Sequence, residues 1–413
     1  MNTANAPRLR FKEFSTDWKT KPLGSIAELT SSKRVYLSEY VPEGIPFYRG
    51  KEISELRAGK NPKDVLYISN QSYEKYKNIY GVPKTGDILI TAVGTLGNTL
   101  LIENQDKFYF KDGNLIWIKN NKENSKFVDY SLQYNYKDIL NTSIGSSQRA
   151  LTIVGLNKLQ INLPEYREQQ KIADFLSAVD NYIKNLTSQK EELEKYKKGM
   201  MQKLFSQDFR FKDNDGKMLP NWNISKLGEI TKRITKGTTP TTLGFSYTEE
   251  GINFIKIESI SNNGSILEEK IGHINEQCNA ALSRSQLKRN DILFSIAGAL
   301  GRVTLVNSNL LPANTNQALA IITPNDNINP EYLTEYLRSA VIQNALNYLK
   351  VGLAQSNISL EQISNFEIPL PSKIEQQKIM SFLNSINELL NIKKQQLNNV
   401  LQWKKGLMQE IFV

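Results

Sequence analysis

The stretch EQQKIADFLSAVD at residues 168–180 returns as EQQKIMSFLNSIN at 375–387, 207 residues later. Both runs place apolar residues three and four apart, the spacing of one face of an α-helix. Extended outward without a gap, 163–206 laid on 370–413 gives 16 identities in 44 positions. These include Leu-Pro at both starts and KKG-x-MQ-x-x-F at both ends, as KKGMMQKLF and KKGLMQEIF.

The likeness reaches back from the helices into what precedes them. GIPFYRGKEIS from Gly44 matches GINFIKIESIS from Gly251, and KTGDILITAVGTLGN from Lys84 matches KRNDILFSIAGALGR from Lys288. Gly145-x-x-Gln148 matches Gly352-x-x-Gln355, and both halves open alike, RFKEF…W…LGSI against RFKDN…W…LGEI. The whole chain is therefore a tandem duplication. Each half reads as short apolar strands bounded by Gly, Asn and Asp (GDILIT, NLIWIK, KLQINLP; DILFSIA, ALAIIT, NFEIPLP) and then a long helix. Periodicity adds a helix near 331–349, and Ser372 with Glu375 forms a capping box ahead of the last helix.

Composition narrows the function. At 413 residues the chain exceeds one core, and 39% apolar with 23% charged residues fits a folded protein. No apolar leader follows Met1, and the longest apolar run, around 292–306, is too short and too polar to span a bilayer. One cysteine, Cys278, fits a reducing cytoplasm. A formal charge of +10 favours a polyanionic partner. A lone histidine, His273, leaves no His-based metal cluster or catalytic triad, and it and Cys278 read as ordinary loop or core residues. No GxxxxGK[ST] or GxGxxG is present. The pairs Gly94/Gly97 and Gly298/Gly301 read as tight turns rather than a phosphate cradle. No catalytic or metal site is expected.

The long helices carry a heptad. One seam holds Ile172, Val179, Leu186, Leu193 and Met200; the companion seam holds Phe175, Tyr182, Gln189 and Tyr196. The second copy repeats this with Ile379, Ile386, Lys393, Val400 and Leu407 beside Phe382, Leu389, Gln396 and Trp403. About forty helical residues span roughly 60 Å. The expected fold class is α+β: two mixed α/β globules, related by a pseudo-twofold, separated by an antiparallel coiled coil of the two long helices. Two dissimilar heads held at a set distance suit a bipartite, asymmetric site on duplex DNA. A second reading is a non-catalytic coiled-coil adaptor whose globules bind protein; steep loss of duplex affinity with salt would separate the two.

These repeated segments, with GTTP at 237–240 ahead of the GINFIKIESIS strand, resemble the specificity (S) subunit of type I restriction-modification enzymes over essentially the full chain. The resemblance implies target recognition domains at 1–163 and 208–369, with central and distal conserved helical regions at 164–207 and 370–413. It implies double-stranded DNA, two methyltransferase (M) subunits and two restriction/motor (R) subunits as partners. S-adenosylmethionine would lie on the M subunits, and ATP and Mg on the R subunits, with no cofactor in this chain and no membrane. The first half has ELTSSKRVYL at 28–37 in place of GTTP, which implies different target bases.

Positions alike in both halves suit scaffold, partner or phosphate contacts, and loop positions that differ suit base readout. Gln148 and Gln355 are phosphate or turn contacts on that rule. Arg149 against Ser356, and Asn98 against Arg302, are candidate readers. Lys33, Arg34 and Arg49 join them in the first head, and Lys236, Thr238, Thr239, Thr241 and Lys256 in the second. The matching helix ends, Lys197, Lys198, Gly199, Met201, Gln202 and Phe205 with Lys404, Lys405, Gly406, Met408, Gln409 and Phe412, form a candidate subunit interface. A helical Gly costs about 1 kcal/mol relative to Ala. Its repetition suggests close approach by another backbone, either the partner helix or a second subunit.

Overall fold

The computed structural model describes residues 7–146, 148–350 and 357–412, without the side chain of Lys350. The chain divides into two compact units, Met1–Thr187 with Gln395–Val413, and Ser188–Lys394. The long helices, Tyr166–Phe205 and Lys373–Ile411, therefore each contribute turns to both units.

Each unit has the same plan. In the first, an antiparallel sheet runs in the order Glu28–Thr30, Leu115–Lys119, Ile88–Thr91 and Thr99–Leu101. The period-2 rule explains how one strand serves two cores. Ile88, Ile90, Ile116 and Ile118 face the core shared with the helices, while Leu89, Leu115 and Trp117 face a second cluster around Ile53 and Phe110. A further sheet orders Tyr40–Val41, Leu66–Ile68, Ile45–Tyr48 and Tyr109–Phe110. The second unit repeats the arrangement with Thr231–Lys236, Leu319–Pro324, Ile292–Ser295 and Val303–Leu305. In both units a two-stranded ribbon pairs entry with exit, Lys19–Pro22 with Gln160–Leu163 and Asn223–Lys226 with Glu367–Leu370.

Two sequence expectations change, while Cys278 is the core residue expected. The helix near 331–349 is two helices, Pro330–Arg338 and Ala340–Lys350, parted where Ser339 turns to extended backbone. Of the capping box, Ser372 Oγ accepts the Glu375 N–H at 3.3 Å, but the Glu375 carboxylate is engaged elsewhere. His273 lies in the strand Gly272–Ile274, and Cys278 is buried.

The heptad divides by seam. Ile172, Val179, Leu186, Ile379, Ile386 and Leu407 are buried, whereas Tyr182, Tyr196, Leu389 and Trp403 on the companion seam stay about half exposed. The reason is competition from the globules. Ala173 and Leu176, off both seams, turn into the first core, and Met380 and Leu383 do the same in the second. Helix pairing occurs beside this. In the first unit the last turns of the second long helix reach the front half of the first: Phe175 meets Trp403 edge-on at 6.3 Å. In the second unit the roles reverse, with Tyr196 against Phe382 at 6.5 Å. Start meets end in each unit, which is antiparallel pairing. Among the described residues no helix is long and apolar enough to cross a membrane.

Candidate nucleic-acid interface

The repeated EQQK phrase fastens each globule to its helix. Glu168 is fully buried and accepts Nε and Nη2 of Arg10, both at 2.8 Å; Glu375 does the same for Arg210 at 3.2 and 2.8 Å. Hydrogen bonding to these carboxylates raises the pKa of both guanidiniums. The next residue serves the following elements. Gln169 Oε1 accepts the Asn124 N–H that opens the helix Ser125–Tyr134, and its Nε2 donates to Pro164 O. Gln376 does likewise with Asn329 and Pro371. One asymmetry remains. The Trp222 indole donates to Glu375 at 2.8 Å, while Trp18 Nε1 has no acceptor among the described residues.

The glycine loops are turns. Gly94, Gly97, Gly298 and Gly301 all have φ between 69° and 82°, the left-handed region glycine adopts freely. Thr91 and Ser295 close the loops from beneath, each accepting the N–H of Asn98 or Arg302.

This assigns several candidate readers to the scaffold. Asn98 donates to Ser54 Oγ at 2.9 Å, and Arg302 Nη1 donates to the carbonyls of Ile257 and Ile260. Both tie the glycine loop to the segment after the GI-x-F strand. Arg49 caps the helix Gly50–Arg57; its guanidinium is held by buried Glu52 and donates to Asp64 O at 3.1 Å. Burial pushes the Glu52 carboxyl up, but the side-chain and backbone bonds from Arg49 outweigh it and hold it below its ordinary value. These three side chains point to protein partners because sequence position reports charge, not whether a carbonyl lies within reach.

The remaining candidates face outward to different degrees. Arg34 is 67% exposed and pairs with Asp112 at 3.0 Å. Lys33 lies 5.6 Å over the Tyr80 ring, and Lys256 lies 5.3 Å over Tyr247. Gln148 and Arg149 are exposed, Arg149 donating to Leu140 O at 2.8 Å. Lys236 and Thr241 are exposed. Thr238 accepts from Arg284 at 3.4 Å, and Thr239 donates to Gln317. Gln355 and Ser356 lie outside the described residues.

At the helix ends the twelve interface candidates separate. Phe205 and Phe412 are core residues, Phe205 meeting Tyr336 edge-on at 5.1 Å and Phe412 stacking on Tyr134 at 5.5 Å. Lys197 pairs with Glu335 at 3.3 Å, and Lys404 pairs with Asp180 at 2.6 Å. Met201 and Met408 are half-buried against the same cores. Lys198, Gln202, Lys405 and Gln409 are exposed. A Cβ on Gly199 or Gly406 would meet nothing within 4 Å, so the partner helix is not the close backbone that sequence reasoning offered as one alternative.

A duplicated reader of this build, with shared anchors beneath divergent loops, defines a two-headed recognition protein. The family model described as the type I restriction modification DNA specificity domain matches residues 15–195 and again 220–402. The chain belongs to that family. It is 26% identical to the putative type I restriction enzyme MjaX specificity subunit of Methanocaldococcus jannaschii, covering 98% of this chain and 95% of that one. It is 23% identical to the EcoBI specificity subunit of Escherichia coli, over 95% and 84%. Among solved structures it is similar in fold to the type I restriction-modification S subunit from M. genitalium, with TM-score 0.56, 18% identity and 99% of each chain covered. A type I restriction-modification structure concerned with complex assembly gives TM-score 0.58 at 18% identity, covering 97% of this chain and 98% of that one.

Proposed function

We propose that this chain is the DNA-reading, non-catalytic subunit of a type I restriction-modification system, with one half of a split target assigned to each domain copy. The observation that carries the reading is the pairing of identical anchors with unlike loops. Arg10–Glu168 and Arg210–Glu375 repeat the mounting, whereas SSKRVYL at 31–37 and KGTTPTTL at 236–243 do not resemble one another. Duplicated scaffold with divergent tips is what an asymmetric two-part target requires.

In this reading the outward-facing cations Lys33, Arg34, Arg149, Lys236 and Lys256 supply phosphate and base contacts in the cytoplasm. The exposed helix ends around Gly199 and Gly406 receive two M subunits, with two R subunits completing the restriction complex. S-adenosylmethionine, ATP and Mg belong to those partners. The test is methylome mapping of a host that makes this chain with its M subunit. A split adenine motif is expected, and exchanging 31–37 with 236–243 should alter both halves of it. A single continuous motif, or none, refutes the proposal.

A further inference from the structure

This inference rests on the DNA-reading function above and concerns the first unit alone. Segments 34–40 and 111–114 flank an open cleft of about 500 Å³, lined by Arg34, Tyr36, Leu37, Lys111, Asp112 and Asn114. At its lip Leu37 is 84% exposed and Tyr36 61% exposed. Two adjacent large apolar side chains held in water lose the stabilisation that burial would bring.

The lip is not a loose loop. Glu39 accepts the Tyr36 N–H at 2.8 Å and also the Tyr76 hydroxyl. The Tyr76 ring stacks on Tyr109 at 5.3 Å, and the Tyr109 hydroxyl accepts the Lys33 N–H at 2.9 Å. Ser32 Oγ donates to Phe110 O at 2.6 Å. The exposed pair therefore stands on a braced turn.

Arg34 is the second observation. Asp112 holds it through Nε at 3.0 Å. Neither terminal nitrogen has a hydrogen-bond partner among the described residues. A guanidinium held at Nε, 67% exposed and with both terminal nitrogens unengaged by the described residues, keeps the fork that matches guanine O6 and N7. Lys33 and Lys111 flank it, and Asp112 and Glu39 are the nearby carboxylates already engaged.

The second unit does not reproduce this. Gly237 donates to Asn316 O at 3.2 Å, so close to Thr315 that a Cβ would collide with backbone, and Thr239 is joined to Gln317. The KGTTPTTL segment carries no arginine, and Thr241 and Leu243 are exposed there.

We propose that this lip is the base-contacting edge of the first unit: Arg34 reads a guanine in the major groove, Asp112 positions it, and Leu37 packs on the methyl of a neighbouring thymine. The test is methylation of a random-sequence duplex library by the complex with its M subunit, carrying Arg34→Ala, Arg34→Lys, Asp112→Asn or Leu37→Ala. Arg34→Ala should relax one guanine by roughly tenfold to a hundredfold, in one half of the motif only. Arg34→Lys should restore charge without restoring that preference, and Asp112→Asn should weaken it at the same base. Leu37→Ala should relax an adjacent thymine. An unchanged motif overturns the assignment, and so does a loss spread evenly over all sequences, which marks a phosphate contact. If the unaltered complex gives no split motif, the functional reading itself has failed.

Discussion

Replacing Glu375 with Gln tests how the domains are mounted, and the duplication supplies its own control in Glu168→Gln. Each carboxylate is fully buried and holds one arginine through two bonds. Removing the charge leaves a guanidinium with 10–14% of its side chain exposed facing a neutral amide. Breaking one partner of such a buried pair costs about 3–5 kcal/mol. Only Glu375 also accepts the Trp222 indole, a bond worth about 1.5–3 kcal/mol to a charged acceptor and about 0.5–1.5 to a neutral one. Glu375→Gln should therefore cost about 1 kcal/mol more than Glu168→Gln. Hydrogen exchange at the amides of 209–222 and 7–18 reads the two effects separately. That excess corresponds to roughly fivefold more opening in the second segment. A second arm replaces the pair together, Arg210→Met with Glu375→Leu, and should recover most of the loss because no lone charge remains buried. Equal loosening in both segments, or greater loosening in the first, refutes the account of the indole bond. Failure of the paired replacement to recover refutes the unpaired-charge argument.

Three further outcomes are expected. Gly199→Ala and Gly406→Ala should each stabilise the isolated chain by about 1 kcal/mol in thermal unfolding, since nothing opposes the new methyl, yet weaken assembly with the M subunit measured by native mass spectrometry. Arg49→Met should lower stability by about 1–3 kcal/mol in urea titration, because Glu52 keeps only its backbone donor, while leaving the methylated motif unchanged. Backbone bonding from Tyr36, then the Tyr76 hydroxyl, holds the Glu39 carboxyl below its ordinary 4.5. A depressed folded value means this stabilisation is present above about 4.5 and lost as pH falls through the folded value. Amides at 36–39 should thus exchange faster, relative to the intrinsic rate, at pH 3 than at pH 6.

Much of the architecture was legible in the residues. The repeat named two equivalent domains, the apolar periodicities placed the sheet strands, and GTLG and GALG read correctly as turns because φ above zero is a local demand. The helix 331–349 failed as one element because Ser339 sits well inside a periodic run, with neither Gly nor Pro to announce the break. Sequence signals were weakest for the site. Arg34 and Arg49 look alike as cations in a divergent half. One pairs with half-buried Asp112 and keeps its terminal nitrogens unengaged among the described residues, and the other is locked by Glu52. Tyr36 and Leu37 gave no signal, since an apolar pair in a strand-rich region reads as core.

Duplication, helix content and the absence of recognisable catalytic or nucleotide-binding motifs were determined by the sequence alone, because they depend on identity and spacing along the chain. Tertiary structure decided why EQQK is repeated: its Glu and Gln each meet residues more than forty positions away, in three dimensions only. It also decided which heptad seam is buried. Periodicity makes two seams equivalent, but the globules bury most of the faces beside one and leave Tyr182, Tyr196, Leu389 and Trp403 of the other about half exposed.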